Sequence, residues 1–400
     1  HHFKFGDMAL AWIYDHLEKT AGIKPINYGA FLEAFPPEYE VRILENTSWS
    51  CAHGVERWRS DCGCSMGNKS GADQKWRKPL REGLDWLAGE MAGIFTKRGD
   101  ALLRDPWAAR DDYITVLLRP EDEVRDSFLA LHQIRPLTPE ERVEVFTLLE
   151  SQVMSLFMFT SCAWFFDDIS GLEAIQNMKY AARGIDLLRP FGGPDLEQGL
   201  LEYLAQARSN DPEYSDGADI YRKKALASRM NPSRLTAHFA LKSIISNELK
   251  TDPVSSRISF QRRRRLSGPG LNVILGEVRV QDAMTSREEA RVFLALHEGG
   301  PKMRCLTAPG QDLDLGFMSA ELRSAVDEVS PGIAVRAFKE KFPDYLEISL
   351  EDLIPDMQGR IVRALARHVF DDFRAQARES LRDYEAILKF LVASGEPVPD

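Results

Sequence analysis

At about residue 254 the spacing of apolar side chains changes from about 3.6 residues to about 2, and this switch sets the classes of structure open to the chain. Before it, residues 79–95 place Leu80, Leu84, Leu87, Met91 and Ile94 on one helical face behind Pro79. Thr138-Pro139-Glu140-Glu141 supplies an N-cap threonine, a proline at the first helical position and a glutamate placed to close a capping box. Phe146, Leu149, Val153 and Leu156 continue that helix. A third helix follows Gly171, with Ile175, Met178, Ala182, Ile185 and Leu188 in register, and Pro190 stops it. With Leu196, Leu200 and Leu204, and then Leu235, Phe239 and Leu241, residues 46 to about 248 read as a helical bundle. After the switch, Ile258 and Phe260 alternate with polar neighbours. Segments 273–280, 292–296 and 303–307 follow, separated by Gly and Pro turns, so a small antiparallel sheet is expected. Helix returns at Phe373, Ala377, Leu381, Tyr384, Leu388 and Leu391. The fold class expected is mainly α, with a small β module in an α+β segment 251–400.

Composition narrows the partners. A chain of 400 residues that is 44% hydrophobic can bury a sizeable core and divides naturally into two or three domains. Lysine and arginine total 51 against 61 aspartate and glutamate, and the net charge of -10 repels nucleic acid. No uninterrupted apolar run reaches the roughly 18 residues of a membrane span, so no membrane partner is expected. Five cysteines are odd in number and sparse, which suits a reducing, cytoplasmic setting. The chain opens on His1 and runs straight into the helix-like Phe5 to Trp12, as though it started inside a domain.

The densest stretch is residues 45–64. Val41 to Leu44 reads as a short strand, and the polar, aromatic, glycine-bearing loop after it carries Trp49, His53, Arg57, Trp58, Arg59 and Asp61. Such a loop suits sugar hydroxyls and rings, since indole offers a flat apolar face and the others hydrogen-bond. It suits equally an ordered interdomain connection. Cys51-x-His53 and Cys62-x-Cys64 carry zinc-type donors, but structural zinc sites usually space their pairs by two to four residues. A one-residue gap argues against both members of a pair reaching one ion, so buried thiols, no metal and no cofactor are expected.

A second aromatic segment, Thr160 to Gly171, contains Trp164, Asp167 and Asp168. One aspartate suits the cap of the helix that follows, and the other a substrate contact beside Trp164. Trp49, His53, Trp58 and Trp164 are expected to meet in one cleft. Arg262 to Arg265 lie in a strand, where side chains alternate between faces, so a solvated sheet edge is expected rather than a nucleic-acid patch.

His1-His2-x-x-Phe5-Gly6-Asp7-Met8-Ala9 resembles the segment that follows the catalytic aspartate of glycoside hydrolase family 57. Ser48-Trp49, Trp58 and Trp76 resemble a Ser-Trp-Gly loop and later tryptophans of that family's branching-type members, and Ser161 to Phe165 a further motif of their helical region. Residues 1 to about 190 are similar to a bacterial subgroup that carries an additional C-terminal domain of unknown function. The resemblance implies that residues 1–45 end a (β/α)7-type barrel, that 46–250 line the substrate cleft and that 251–400 are the additional domain. It implies an α-glucan or oligosaccharide partner, and a hydrolase or glucanotransferase whose catalytic glutamate and aspartate lie upstream, leaving none in this segment. A noncatalytic glucan-binding or scaffold module is the alternative, and a zinc-stabilised interaction protein is a third reading. The substrate-binding residues it implies are His1, His2, Trp49, His53, Arg57, Trp58, Trp164, Asp167 and Asp168.

Overall fold

The computed structural model describes residues 5–67, 71–245, 256–311, 313–316 and 318–394. Contacts between Cα atoms divide the chain into His1–Gly54 and Val55–Asp400. In the first unit, helices α1 (Gly6–Lys19) and α2 (Tyr28–Ala34) bury no residue. Asn27 caps α2 by accepting from the Ala30 amide at 2.8 Å. Apolar side chains surround most of α1: Met8, Leu10, Trp12, Ile13 and Tyr14 are all exposed. Val41 to Leu44, expected as a strand, is not one. A strand needs a neighbouring ladder to satisfy its backbone, and none of the five strands described below pairs with this segment.

The second unit opens with helices α3 (Arg77–Gly99), α4 (Pro106–Asp112), α5 (Ile114–Leu118), α6 (Asp122–His132), α7 (Pro139–Phe157), α8 (Leu172–Leu188) and α9 (Leu196–Leu204). Leu80, Leu84, Leu87, Met91 and Phe95 of α3 enter the helical core, with Ile94 at its margin. The capping box of α7 forms as the sequence indicates: Thr138 Oγ1 accepts from the Glu141 amide, and the Glu141 carboxylate accepts from the Thr138 amide at 3.0 Å. By length and composition Pro139–Trp164 could cross a membrane, but 56% of its apolar window is buried in the fold. Two glycines let helices close up. A Cβ on Gly184 would lie 2.7 Å from Met91 Cε, and one on Gly199 would lie 2.0 Å from the Trp86 ring. After α10 (Gly217–Ile220) the helix widens into a π turn at Tyr221–Ala225.

Helix α11 (Pro232–Ile245), expected in the bundle, instead covers the sheet: Leu235, Phe239 and Ile244 share a core with Ile274, Val278, Phe293 and Cys305. The sheet is antiparallel in the order β1 (Ser256–Gly268), β2 (Leu271–Asp282), β3 (Glu288–His297), β4 (Met303–Pro309) and β5 (Leu346–Ser349). Its other face packs on α12 (Ser319–Asp327) and α13 (Pro331–Lys341) through Leu322, Ala325 and Phe338. With both faces covered, β2 and β3 are buried almost continuously instead of at alternate positions. The final helix α14 (Pro355–Ser394) is anchored by Met357 and Ile361, while Phe373, Leu381 and Tyr384 are exposed. The mainly α class with a small antiparallel sheet is therefore the observed one. Within the second unit, α11 packs on the sheet and not in the helical core.

Arg262 to Arg265 lie on the edge strand β1, which pairs only with β2. They do more than face water. Arg262 Nη1 donates to the Leu313 carbonyl at 3.1 Å and Arg264 Nη1 to that of Leu315 at 3.3 Å, while Arg265 Nη2 donates to the Ile244 carbonyl at 2.6 Å. The last contact puts a cation on the carbonyl end of α11, where the helix dipole favours it.

Candidate functional site

His1 and His2 lie outside the described residues. Of the remaining residues singled out by sequence, Trp49 is 90% exposed and His53 is exposed. Trp58 is half-buried, and its Nε1 donates to the Ser161 carbonyl at 2.9 Å. Arg57 is buried with its guanidinium 4.9 Å from the centre of the Phe165 ring. Trp164 is 1% exposed, and its Nε1 donates to the Arg77 carbonyl at 3.2 Å. An enclosed indole has no face for a sugar ring, so Trp164 is part of the helical core.

The two aspartates are also inward. Asp167 accepts from the Met66 amide at 2.7 Å, and its carbonyl from the side chains of Gln74 and Asn210. Asp168 accepts from the Ser170 amide, the Ser209 hydroxyl and the Asn210 amide. Burial raises the Asp168 pKa, but these hydrogen bonds outweigh it and hold the carboxyl below its ordinary value. Neither aspartate caps the next helix, whose N-cap is Gly171 without a side-chain bond. Both tie the Trp164 turn to the segment after α9, a structural task instead of the sugar contact expected.

The donors dismissed on spacing come together. One ligand atom from each of Cys51, His53, Cys62 and Cys64 can be chosen so that all lie within 4.8 Å of one another. Two left-handed glycines make this possible. Gly54, at φ +77°, turns the chain straight after His53, and a Cβ there would lie 2.4 Å from the Asn46 carbonyl oxygen. Gly63, also at φ +77°, stands between Cys62 and Cys64, and its amide donates to Asp61 Oδ1 at 3.1 Å. The one-residue gap is therefore bridged by a backbone conformation that favours glycine. Each pair contributes from its own end of the loop. Arg77 lies beside it, fully buried, with Nη1 donating to the Cys64 carbonyl at 2.8 Å. Burial and the charge of Arg57 lower the Arg77 pKa, opposed by Cys62, Asp61 and Asp167.

A separate cavity of about 800 Å³ opens between α7, α8, the segment after the π turn and the β2–β3 turn. Glu150, Tyr180, Arg183, Asp186, Arg229 and Asp282 line it. Arg229 pairs with Asp186 at 2.8 Å and with Glu197 at 2.7 Å, and Arg183 with Asp282 at 2.6 Å. Tyr113 donates to Glu150 Oε1 at 2.7 Å. Burial pushes the Glu150 carboxyl above its ordinary pKa against this bond, and it pushes Asp186 up against the pull of Arg229. Buried and half-buried carboxyl groups shifted upward and grouped in a cavity with guanidinium partners are a common mark of a functional site. Sequence reading missed them. The available signal was a charge on a buried helix face: Glu150 sits in the buried run from Val145 to Gln152, and Asp186 between Ile185 and Leu187.

The model of a domain of unknown function, DUF3536, matches residues 73–354, more than half the chain. The chain belongs to the DUF3536 family. No curated protein and no solved structure matches it. Every residue lining the cavity falls inside the DUF3536 domain, whereas the Cys51 to Cys64 cluster precedes it.

Proposed function

We propose that this chain is the substrate-binding, C-terminal part of a family 57-like glycoside hydrolase or glucanotransferase acting on α-glucans, and that the cavity of the DUF3536 domain holds the oligosaccharide. The observation that carries the reading is the cavity itself. Its volume of about 800 Å³ lies within the range of ligand pockets. Its walls combine paired carboxylates and guanidinium groups, which exchange hydrogen bonds with hydroxyls, and the half-buried Tyr180 ring, which offers a stacking face. The exposed apolar residues of α1, with Ile23, Phe31, Phe35, Val41 and Ile43, support the accompanying proposal that residues 1–45 close a (β/α)7-type barrel. A helix apolar on most sides is built to be covered on most sides.

In this arrangement the nucleophilic glutamate and acid aspartate of a retaining mechanism stand on the upstream barrel. The chain by itself then binds glucan without turning it over. Isothermal titration of the chain with maltoheptaose is expected to show saturable binding that Tyr180→Ala weakens at least tenfold. Absence of heat with maltoheptaose and with amylose would remove the glucan assignment. Turnover of either by this chain, abolished by a substitution within it, would overturn the division of labour.

A further inference from the structure

We propose that Cys51, His53, Cys62 and Cys64 are the four ligands of one structural zinc ion. The donor set is three thiolates and an imidazole, a recognised structural zinc combination. With zinc–sulfur bonds of about 2.3 Å, tetrahedral geometry puts sulfur atoms about 3.8 Å apart, and the four donor atoms here lie within 4.8 Å of one another. That spread suits a single ion, since a multi-iron cluster holds its cysteine sulfurs farther apart. A disulfide would use two sulfurs and give no reason for an imidazole to converge on them.

Charge supports the same assignment. Three thiolates and a neutral imidazole around a divalent ion leave one net negative charge. Arg57 and Arg77 are 4% and 0% exposed, and Nε and Nη2 of Arg77 have no hydrogen-bond partner. Buried cations need negative charge nearby, and Arg77 reaches the donor set through its bond to the Cys64 carbonyl. A thiolate-rich centre supplies more of that charge than neutral thiols would.

Four protein ligands leave no open position for substrate, so the ion is structural and not catalytic. Its task is local. Within residues 46–64 only Cys51 and Arg57 are buried, so there is little apolar packing to fix the loop, and a metal staple does so instead. Two of the loop's internal bonds, Ser48 Oγ to the Gly54 carbonyl at 2.8 Å and Ser60 Oγ to Glu56 Oε1 at 2.5 Å, hold local turns and do not join the Cys51–His53 pair to the Cys62–Cys64 pair.

The test is the metal content of the whole chain, purified under reducing conditions and then incubated with excess zinc and desalted. Mass spectrometry is expected to find about one zinc per chain. Cys62→Ser with Cys64→Ser should lower this at least tenfold, while Cys162→Ser should leave it unchanged and the helical circular dichroism of each variant intact. Replacement by cobalt in the unaltered chain should give the intense visible absorption of tetrahedral cobalt thiolate, a readout that needs no variant. Less than a tenth of an equivalent of zinc after reconstitution would overturn the proposal. So would zinc retained by the double variant, iron with inorganic sulfide in its place, or cobalt absorption without thiolate charge transfer.

Discussion

Helices α1 and α3 are both rich in apolar side chains, yet α3 buries Leu80, Leu84, Leu87, Met91 and Phe95 within the chain and α1 buries nothing. The difference lies in what surrounds each helix. Around α3 the helices α7, α8 and α9 supply facing surfaces, and glycines at Gly184 and Gly199 let them approach. Tryptophans follow the same division: Trp164 and Trp76 are enclosed, while Trp12 is 65% and Trp49 90% exposed. An apolar pattern therefore reports the need for cover, and it does not say whether this chain provides it.

Substitutions test that contrast directly. The largest effect is expected for Trp164→Ala, which removes an enclosed indole and its bond to the Arg77 carbonyl. Urea unfolding should show a loss of about 3–5 kcal/mol, and a loss under about 1 kcal/mol would mean that the site is not core. Gly199→Ala drives a Cβ into the Trp86 ring and should cost about 1–3 kcal/mol in the same measurement. If it proves neutral, the α3–α9 contact is looser than described.

Glu150→Gln probes the cavity through pH. A carboxyl whose folded pKa lies above its unfolded value is best tolerated when protonated, so the unaltered chain loses stability as pH rises through the window between the two. Glutamine keeps an acceptor for Tyr113 without that penalty. The variant's stability relative to the parent should therefore increase as pH rises above the ordinary carboxylate value. A flat difference over that rise would show that Glu150 ionises normally. The smallest effect is expected at Trp12→Ala, within about 0.5 kcal/mol for this chain, because an exposed indole leaves no cavity. A loss approaching that of Trp164→Ala would erase the contrast between the two helices.

Much of the helical core was legible because its signals are local. The capping box at Thr138, the stop at Pro190 and the periodicity of α3 and α8 each depend on residues within a turn or two. Strands β1 to β4 were legible for the same reason. Strand β5 was not: it has four residues, its Leu346 and Glu347 are exposed, and only pairing with β4 defines it. Helix α11 was recognised as a helix but misplaced, since its pattern records an apolar face and not whether that face meets helices or a sheet. The functional residues were harder still. Trp164 and Asp168 matched the chemistry of sugar sites and proved to be internal fasteners, because sequence shows a donor but not its partner. The Cys51 to Cys64 convergence was hidden by treating each pair's spacing alone, without the left-handed turn at Gly63 that bridges it.

The claim that decides the functional reading is that the DUF3536 cavity, and not the Trp49 loop, holds glucan. Hydrogen exchange of the chain with and without saturating maltoheptaose separates the two. The expected result is slower exchange in peptides covering residues 147–154, 176–189 and 226–235, with little change in residues 46–58. Protection confined to residues 46–58, or no protection anywhere, would contradict it.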